Sequence, residues 1–287
     1  MTDGPTAGLP ATRLDAALAA RGLARSRTHA ATLITAGLVT VDGRGVVKPS
    51  TRVEADARLE VAGADHYVSR AAHKLIAALD AWPITVAGRV ALDMGASTGG
   101  FTQVLRERGA DPVIAVDVGH DQLAPQVRAD VGVIVVEGFN VRNMDPQTLA
   151  DATGISAAPE LVTGDLSFIS LAHVLPAVRA TMRADADVVL LVKPQFEVGR
   201  TAVRGGLVTD AGVRADAVAQ VLWSAWDAGL ATHGVLSSPL VGTHGNLEYL
   251  AWFRARVPGD EGGRQGRPDA GNPTEWLSTV NRLAGES

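Results

Sequence analysis

The chain has 287 residues, 46% of them hydrophobic and 20% charged, a balance suited to a globular protein of about two domains. Its formal net charge is −5, yet residues 10–50 carry six Lys and Arg against two Asp and Glu, so a local basic face is available within an acidic whole. The absence of cysteine excludes disulfides, thiolate metal sites and cysteine nucleophiles; the start MTDGPTAGLP lacks the pattern of a secretory signal, and no apolar run approaches the roughly 20 residues of a membrane span.

A cytoplasmic protein is therefore expected, and its elements follow in chain order. Arg13–Ala20 reads as a short helix with Leu14, Ala17 and Leu18 on one face. Ser26 is placed to cap a second helix over 27–36, ended by Gly37. Leu38–Val41 reads as a strand followed by the turn dipeptide Asp42-Gly43, Lys48-Pro49 is a break, and Arg58–Val61 is a closing strand. Residues 10–62 thus form one small α+β unit, with residues 63–69 as linker and 70–287 as a second domain.

Beyond the linker, Val68–Trp82 reads as a helix stopped by Pro83. Strands are expected at Val90–Asp93, Val113–Asp117, Gly132–Glu137, Leu161–Asp165 and Val188–Lys193, with helices between them such as Gly100–Gly109 and Ser170–Arg183. Apolar strands alternating with helices imply a parallel α/β sheet buried on both faces. Val235–Ser237 and Leu247–Phe253 read as the last strands, Gly262–Asn272 as a surface loop and Pro273–Leu283 as a final helix.

The densest motif is Asp93-Met94-Gly95-Ala96-Ser97-Thr98-Gly99-Gly100-Phe101, where the first strand of the second domain turns into a helix. Glycines there let backbone pass close to a ligand. Ser97 stands where a dinucleotide fingerprint has its middle glycine, so a nucleoside without phosphates such as S-adenosylmethionine is the better fit. Asp93 is a candidate for its ammonium group. Asp117, ending the next strand, is a candidate for its ribose hydroxyls.

Four charged residues complete the pattern. Asp165 and Lys193 end strands, so a parallel sheet brings them to the rim that carries the glycine turn; Lys74 lies on the preceding helix and Glu248 at the start of the last strand. A ribose hydroxyl must lose its proton as it attacks a sulfonium methyl, and a neutral lysine can take it. Lys193 is the expected base, Lys74 its cationic neighbour, and Asp165 and Glu248 the acids that orient them.

With these residues in hand, a resemblance is evident. Arg13-Leu14-Asp15, Ser26-Arg27, Gly37, Val41-Asp42-Gly43 and Lys48-Pro49 resemble an S4 RNA-binding domain. Ser69-Arg70-Ala71-Ala72-His73-Lys74-Leu75, the glycine motif, Asp165-Leu166-Ser167-Phe168-Ile169-Ser170 and Lys193-Pro194-Gln195-Phe196-Glu197 resemble an FtsJ-like ribose methyltransferase. The combination resembles the TlyA (haemolysin A) family over about nine tenths of the chain. The resemblance implies a Rossmann-like S-adenosylmethionine-dependent domain that 2′-O-methylates cytidines in ribosomal RNA of the 30S and 50S subunits, linked in some bacteria to capreomycin-type sensitivity. It implies the catalytic set Lys74, Asp165, Lys193 and Glu248. It implies cofactor contacts at Asp93, Gly95, Ala96, Ser97, Thr98, Gly99, Gly100, Phe101, Asp117, Val118, Asn140, Asp165 and Leu166. RNA phosphates are expected at Arg13, Arg21, Arg25, Arg27, Arg44, Lys48 and Arg70. No metal is expected, and a monomer or weak dimer is. Two other readings compete: a membrane-active haemolysin, which needs an inserting segment that the sequence lacks, and a non-catalytic RNA-binding protein.

Overall fold

A computed structural model of the chain describes residues 12–24, 26–35, 37–61, 66–199, 203, 205–242, 245–256 and 271–285. The chain divides into two compact units, residues 1–66 and 67–287.

In the first unit, β1 (Thr12–Arg13) leads into α1 (Leu14–Ala20) and α2 (Arg27–Thr35). The Ser26 hydroxyl accepts the His29 backbone N–H at 3.1 Å, the expected cap. The turn Asp42-Gly43 joins β2 (Val39–Val41) to β3 (Arg44–Val46), a strand the sequence reading lacks. β1 pairs with β4 (Arg52–Val53), and β2 also pairs with β5 (Leu59–Val61). The core is small: Leu14, Leu18, Ile34, Val39, Val53 and Leu59 meet in one cluster.

In the second unit, helix α3 (Ala72–Ala81) begins four residues later than Val68; the stretch before it forms bends and turns, one of them closed by the Ser69 hydroxyl on the Ala71 N–H. The strands that follow are β6 (Ala91–Met94), β7 (Val113–Asp117), β8 (Val133–Glu137), β9 (Leu161–Gly164), β10 (Asp187–Val192), β11 (Leu230–Ser237) and β12 (Tyr249–Ala255). They form one sheet in the order β11-β12-β10-β9-β6-β7-β8, in which β12 is antiparallel to both neighbours and β8 to β10 are mutually parallel. Helices α4 (Gly100–Glu107), α5 (Pro125–Arg128), α6 (Pro146–Thr153), α7 (Leu175–Thr181), α8 (Pro194–Glu197), α9 (Ala211–Asp227) and α10 (Leu277–Gly285) connect and cover the strands.

Strand β10 shows why the sheet is a middle layer. Val188, Leu190 and Val192 pack with Val218, Val221 and Leu222 of α9, whereas Val189 and Leu191 pack with Leu75 and Ala78 of α3 and Leu105 of α4. Alternating side chains thus serve two cores, and each fully buried Val or Leu is worth about 2 kcal/mol. Strand order reverses between β6 and β9, with β7 and β8 on one side and β10 on the other. At such a switch point a crevice opens beyond the carboxyl ends of the strands.

Candidate active site

The crevice holds the glycine turn. Gly95 has φ of 76°, and a Cβ there would lie 3.0 Å from the Asp165 carbonyl oxygen and 3.1 Å from Leu166, so a side chain is excluded twice over. Gly100 begins α4, and its Cβ would lie 3.0 Å from Ser69 and 3.1 Å from the Ala72 nitrogen. The turn is therefore pressed between the loop after β9 and the start of α3. Between these glycines Ser97 holds a left-handed φ of 47°, kept there by its N–H donating to Asp117 at 2.8 Å.

The four charged residues converge beside this turn. Lys74 Nζ lies 2.7 Å from Glu248 Oε2 and 3.5 Å from Asp165 Oδ2. Lys193 Nζ lies 2.6 Å from Asp165 Oδ1 and donates to the Ser167 hydroxyl at 2.8 Å. Asp165 is thus shared by the two lysines, and Lys74, Lys193 and Glu248 are all buried. Removing one member of such a set leaves an uncompensated buried charge. A cleft of about 240 Å³ runs along them, lined also by Gly95, Ala96, Ser97, Thr98, Gly100, Phe101, Ser69 and Ala71.

A second, smaller hollow continues from Ala96 and Ser97 past Asp117, Gly119, Gln122 and Glu137. Both oxygens of Asp117 accept backbone N–H groups, from Ser97 and Gly119. Gln122, which the sequence reading does not single out, receives the Ser97 hydroxyl at 3.4 Å. Val118 is exposed and Leu166 packs against Gly95. Asn140 is exposed, and its side-chain oxygen caps the short turn at Val141–Asn143 by accepting the Arg142 N–H at 3.0 Å. Gly99, with φ of 96°, caps α4.

Asp93 departs from its expected role. It is 1% exposed and lies behind the turn, where its carboxyl accepts the Thr102 hydroxyl at 2.6 Å and the Thr163 hydroxyl at 3.2 Å. It does not line the cleft, so it supports the turn from inside instead of meeting a ligand's ammonium. Burial pushes its carboxyl up to about 7, against the opposing pull of the two hydroxyls.

Two aromatic residues stand at the same edge of the site. Phe168 is 92% exposed with φ of 63°, and its ring centroid is 5.2 Å from that of Phe196. Lys193 Nζ is 5.9 Å from the Phe196 ring centroid. Holding a bulky residue in the left-handed region costs about 1–3 kcal/mol. The sequence carries Phe168 inside a recognisable motif but gives no sign of its exposure.

The basic residues of the first unit divide by what they touch. Arg13 and Arg27 share Asp15, at 2.8 and 3.4 Å, and Arg13's hydrogen bond holds that carboxyl down at about 2. Arg21 donates to the carbonyls of Ala57, Ala55 and Glu54 at 2.5, 2.7 and 3.2 Å, so it ties the chain before β5 to the end of α1 while staying exposed. Arg44 and Lys48 are exposed, as is Arg70 in the second unit. Arg25 lies outside the described residues.

Residues 67–255 match the FtsJ-like methyltransferase family, and residues 12–59 match the S4 domain. A Mycobacterium tuberculosis protein named 16S/23S rRNA (cytidine-2'-O)-methyltransferase TlyA is 50% identical over 85% of this chain and 90% of its own. The chain belongs to the TlyA family. Haemolysin names attach to relatives of the same build: Hemolysin A of Brachyspira hyodysenteriae is 36% identical over 84% of this chain and 99% of its own. A solved, hemolysin-named structure from Streptococcus thermophilus superposes with a TM-score of 0.70 at 34% identity, covering 96% of both chains. A TlyA-family chain is thus an S4 domain followed by an FtsJ-like methyltransferase domain. Among the described residues no helix is long and apolar enough to cross a membrane, and no group of three or more His, Asp or Glu is placed to hold a metal.

Proposed function

We propose that this protein transfers a methyl group from S-adenosylmethionine to the 2′-hydroxyl of cytidines in ribosomal RNA of both subunits, in the cytoplasm. The observation that carries the reading is the convergence of Lys74, Asp165, Lys193 and Glu248 on one cleft beside the glycine turn. The residues present fit such a cofactor. Gly95 leaves the space a side chain would fill, the hollow past Asp117 and Glu137 suits an adenosine, and Asp117 stands where ribose hydroxyls are met. When bound, S-adenosylmethionine supplies an electrophilic methyl on a sulfonium.

The remaining work falls to this chain's own side chains. Lys193, in its neutral form, accepts the ribose hydroxyl proton. Asp165 and Ser167 fix the direction of its Nζ. Glu248 anchors the Lys74 ammonium, whose positive charge faces the shared Asp165. Positioning of this kind supplies much of the rate when the attacking group is simple. Phe168 and Phe196 offer aromatic faces at the same edge, the kind of surface on which an unstacked base rests. Exposed Arg44 and Lys48 suit phosphate contacts.

Incubation with unmethylated 30S and 50S subunits and labelled S-adenosylmethionine tests the proposal. Label on discrete cytidines of 16S and 23S RNA is expected; no label on either subunit rejects it. A liposome-leakage assay run alongside is expected to show no release, and release would favour the haemolysin reading.

A further inference from the structure

Glu197 is a half-buried carboxylate that the proposed chemistry leaves without a task. It ends the single turn of α8 that Lys193 begins. Its Oε2 accepts the Ser170 hydroxyl at 2.6 Å, and its Oε1 accepts the Leu171 N–H at 3.0 Å. Both partners belong to the loop after β9, the loop that starts with Asp165. The segments 165–171 and 193–197 are therefore joined twice. At one end Lys193 holds Asp165 and Ser167; at the other Glu197 holds Ser170 and Leu171. The Phe168 and Phe196 rings touch between the two ties.

We propose that Glu197 is a positioning residue, which keeps these two loops in register independently of the Lys193–Asp165 ion pair. This rests on the reading of Lys193 as base. The two ties respond differently to the reaction. The pair between Lys193 and Asp165 depends on the lysine's charge, and a lysine ready to take a proton has given that charge up, so the attraction is weakest while the hydroxyl is being met and returns only as the proton arrives. The bonds from Ser170 and Leu171 to Glu197 do not involve Lys193. Charge-assisted bonds to a carboxylate with little access to water are also among the stronger ones. Glu197 thus holds the loop that carries Lys193 and the exposed aromatic pair in one frame while the lysine is uncharged.

The test uses full-length protein with ribosomal subunits as substrate, and measures kcat, KM for the subunit, cofactor affinity by calorimetry and the melting temperature. Glu197→Ala is expected to lower kcat about 100-fold, the effect of roughly an ångström of misplacement, with cofactor affinity unchanged. Glu197→Gln is expected to stay close to wild type, because its amide still accepts the Leu171 N–H and bonds the Ser170 hydroxyl. Ser170→Ala, which removes one of the two bonds, is expected to lower kcat about 10-fold, and it carries the test should Glu197→Ala fail to fold. Wild-type kcat in Glu197→Ala or Ser170→Ala overturns the inference. So does equal damage from Ala and Gln at position 197, or loss of cofactor affinity in step with kcat. Wild-type protein that methylates nothing removes the underlying reading as well, whereas active wild type with an unaffected Glu197→Ala removes this inference alone.

Discussion

Replacing Asp93 with Asn removes a buried, strongly perturbed acid, and the sign of its effect on stability follows from the structure. The carboxyl is raised from 3.8 in the open chain to about 7 in the fold, chiefly because burial penalises its charge. Below pH 3.8 it is protonated in both states, so the folded form bears no penalty. As pH rises the unfolded chain releases its proton first and the folded form keeps it, so stability falls up to pH 7 and then levels off. Slightly more than three pH units at about 1.4 kcal/mol each amount to about 4 kcal/mol. The five tryptophans, Trp82, Trp223, Trp226, Trp252 and Trp276, all lie in the unit spanning 67–287, so their fluorescence reports its unfolding. Urea titrations from pH 4.5 to 8 on wild type and Asp93→Asn should show wild type losing stability relative to the variant as pH rises. A constant difference, or one that grows in favour of wild type, would refute the reasoning.

Other outcomes follow from the same geometry. Lys193→Ala should reduce methyl transfer by about 10²–10⁴-fold, the usual worth of a general base, while calorimetry finds cofactor binding retained; undiminished turnover contradicts the base role. Gly95→Ala should weaken cofactor binding, because its Cβ would press on the Asp165 carbonyl 3.0 Å away; unaltered affinity would show that the turn can yield. Charge reversal at Arg44 and Lys48 should weaken RNA binding and flatten its salt dependence, and identical salt slopes would count against the S4 face. Arg21→Ala should instead cost about 1 kcal/mol of stability in the first unit, seen as a lower melting temperature by circular dichroism. A variant defective in RNA binding with unchanged melting would make Arg21 an RNA contact and not a structural tie.

The legible parts of the fold were those set by period and punctuation. Val188–Val192 reads as a buried strand because every residue is apolar, and the structure splits them between two cores. Ser26, Gly37 and Asp42-Gly43 marked their caps and turns through local chemistry. The misses have physical causes. Strand β11 starts five residues before Val235, since His233 and Gly234 sit at a bulge that breaks the alternation. Helix α9 spans 17 residues to which the sequence reading assigns no element; its alanines and tryptophans blur the apolar stripe.

In the site, the strand-end rule places Asp165 and Lys193, and the structure brings Lys74 and Glu248 to them. The same rule misleads for Asp93, whose side chain the strand turns inward to Thr102 and Thr163. Arg21 is the surface cation that the sequence suggests, and its bonds to carbonyls more than 30 residues away in the chain had no local signal. Glu197, Ser170 and the paired phenylalanines take their meaning from two loops meeting, which no local pattern encodes.

The chemical position of the transferred methyl tests the central claim most directly. Ribosomal RNA reacted with this protein and S-adenosylmethionine, digested to nucleosides and separated by mass spectrometry, should yield cytidine carrying the methyl on its 2′-oxygen. A methyl on the base, or on no nucleoside at all, would contradict the account.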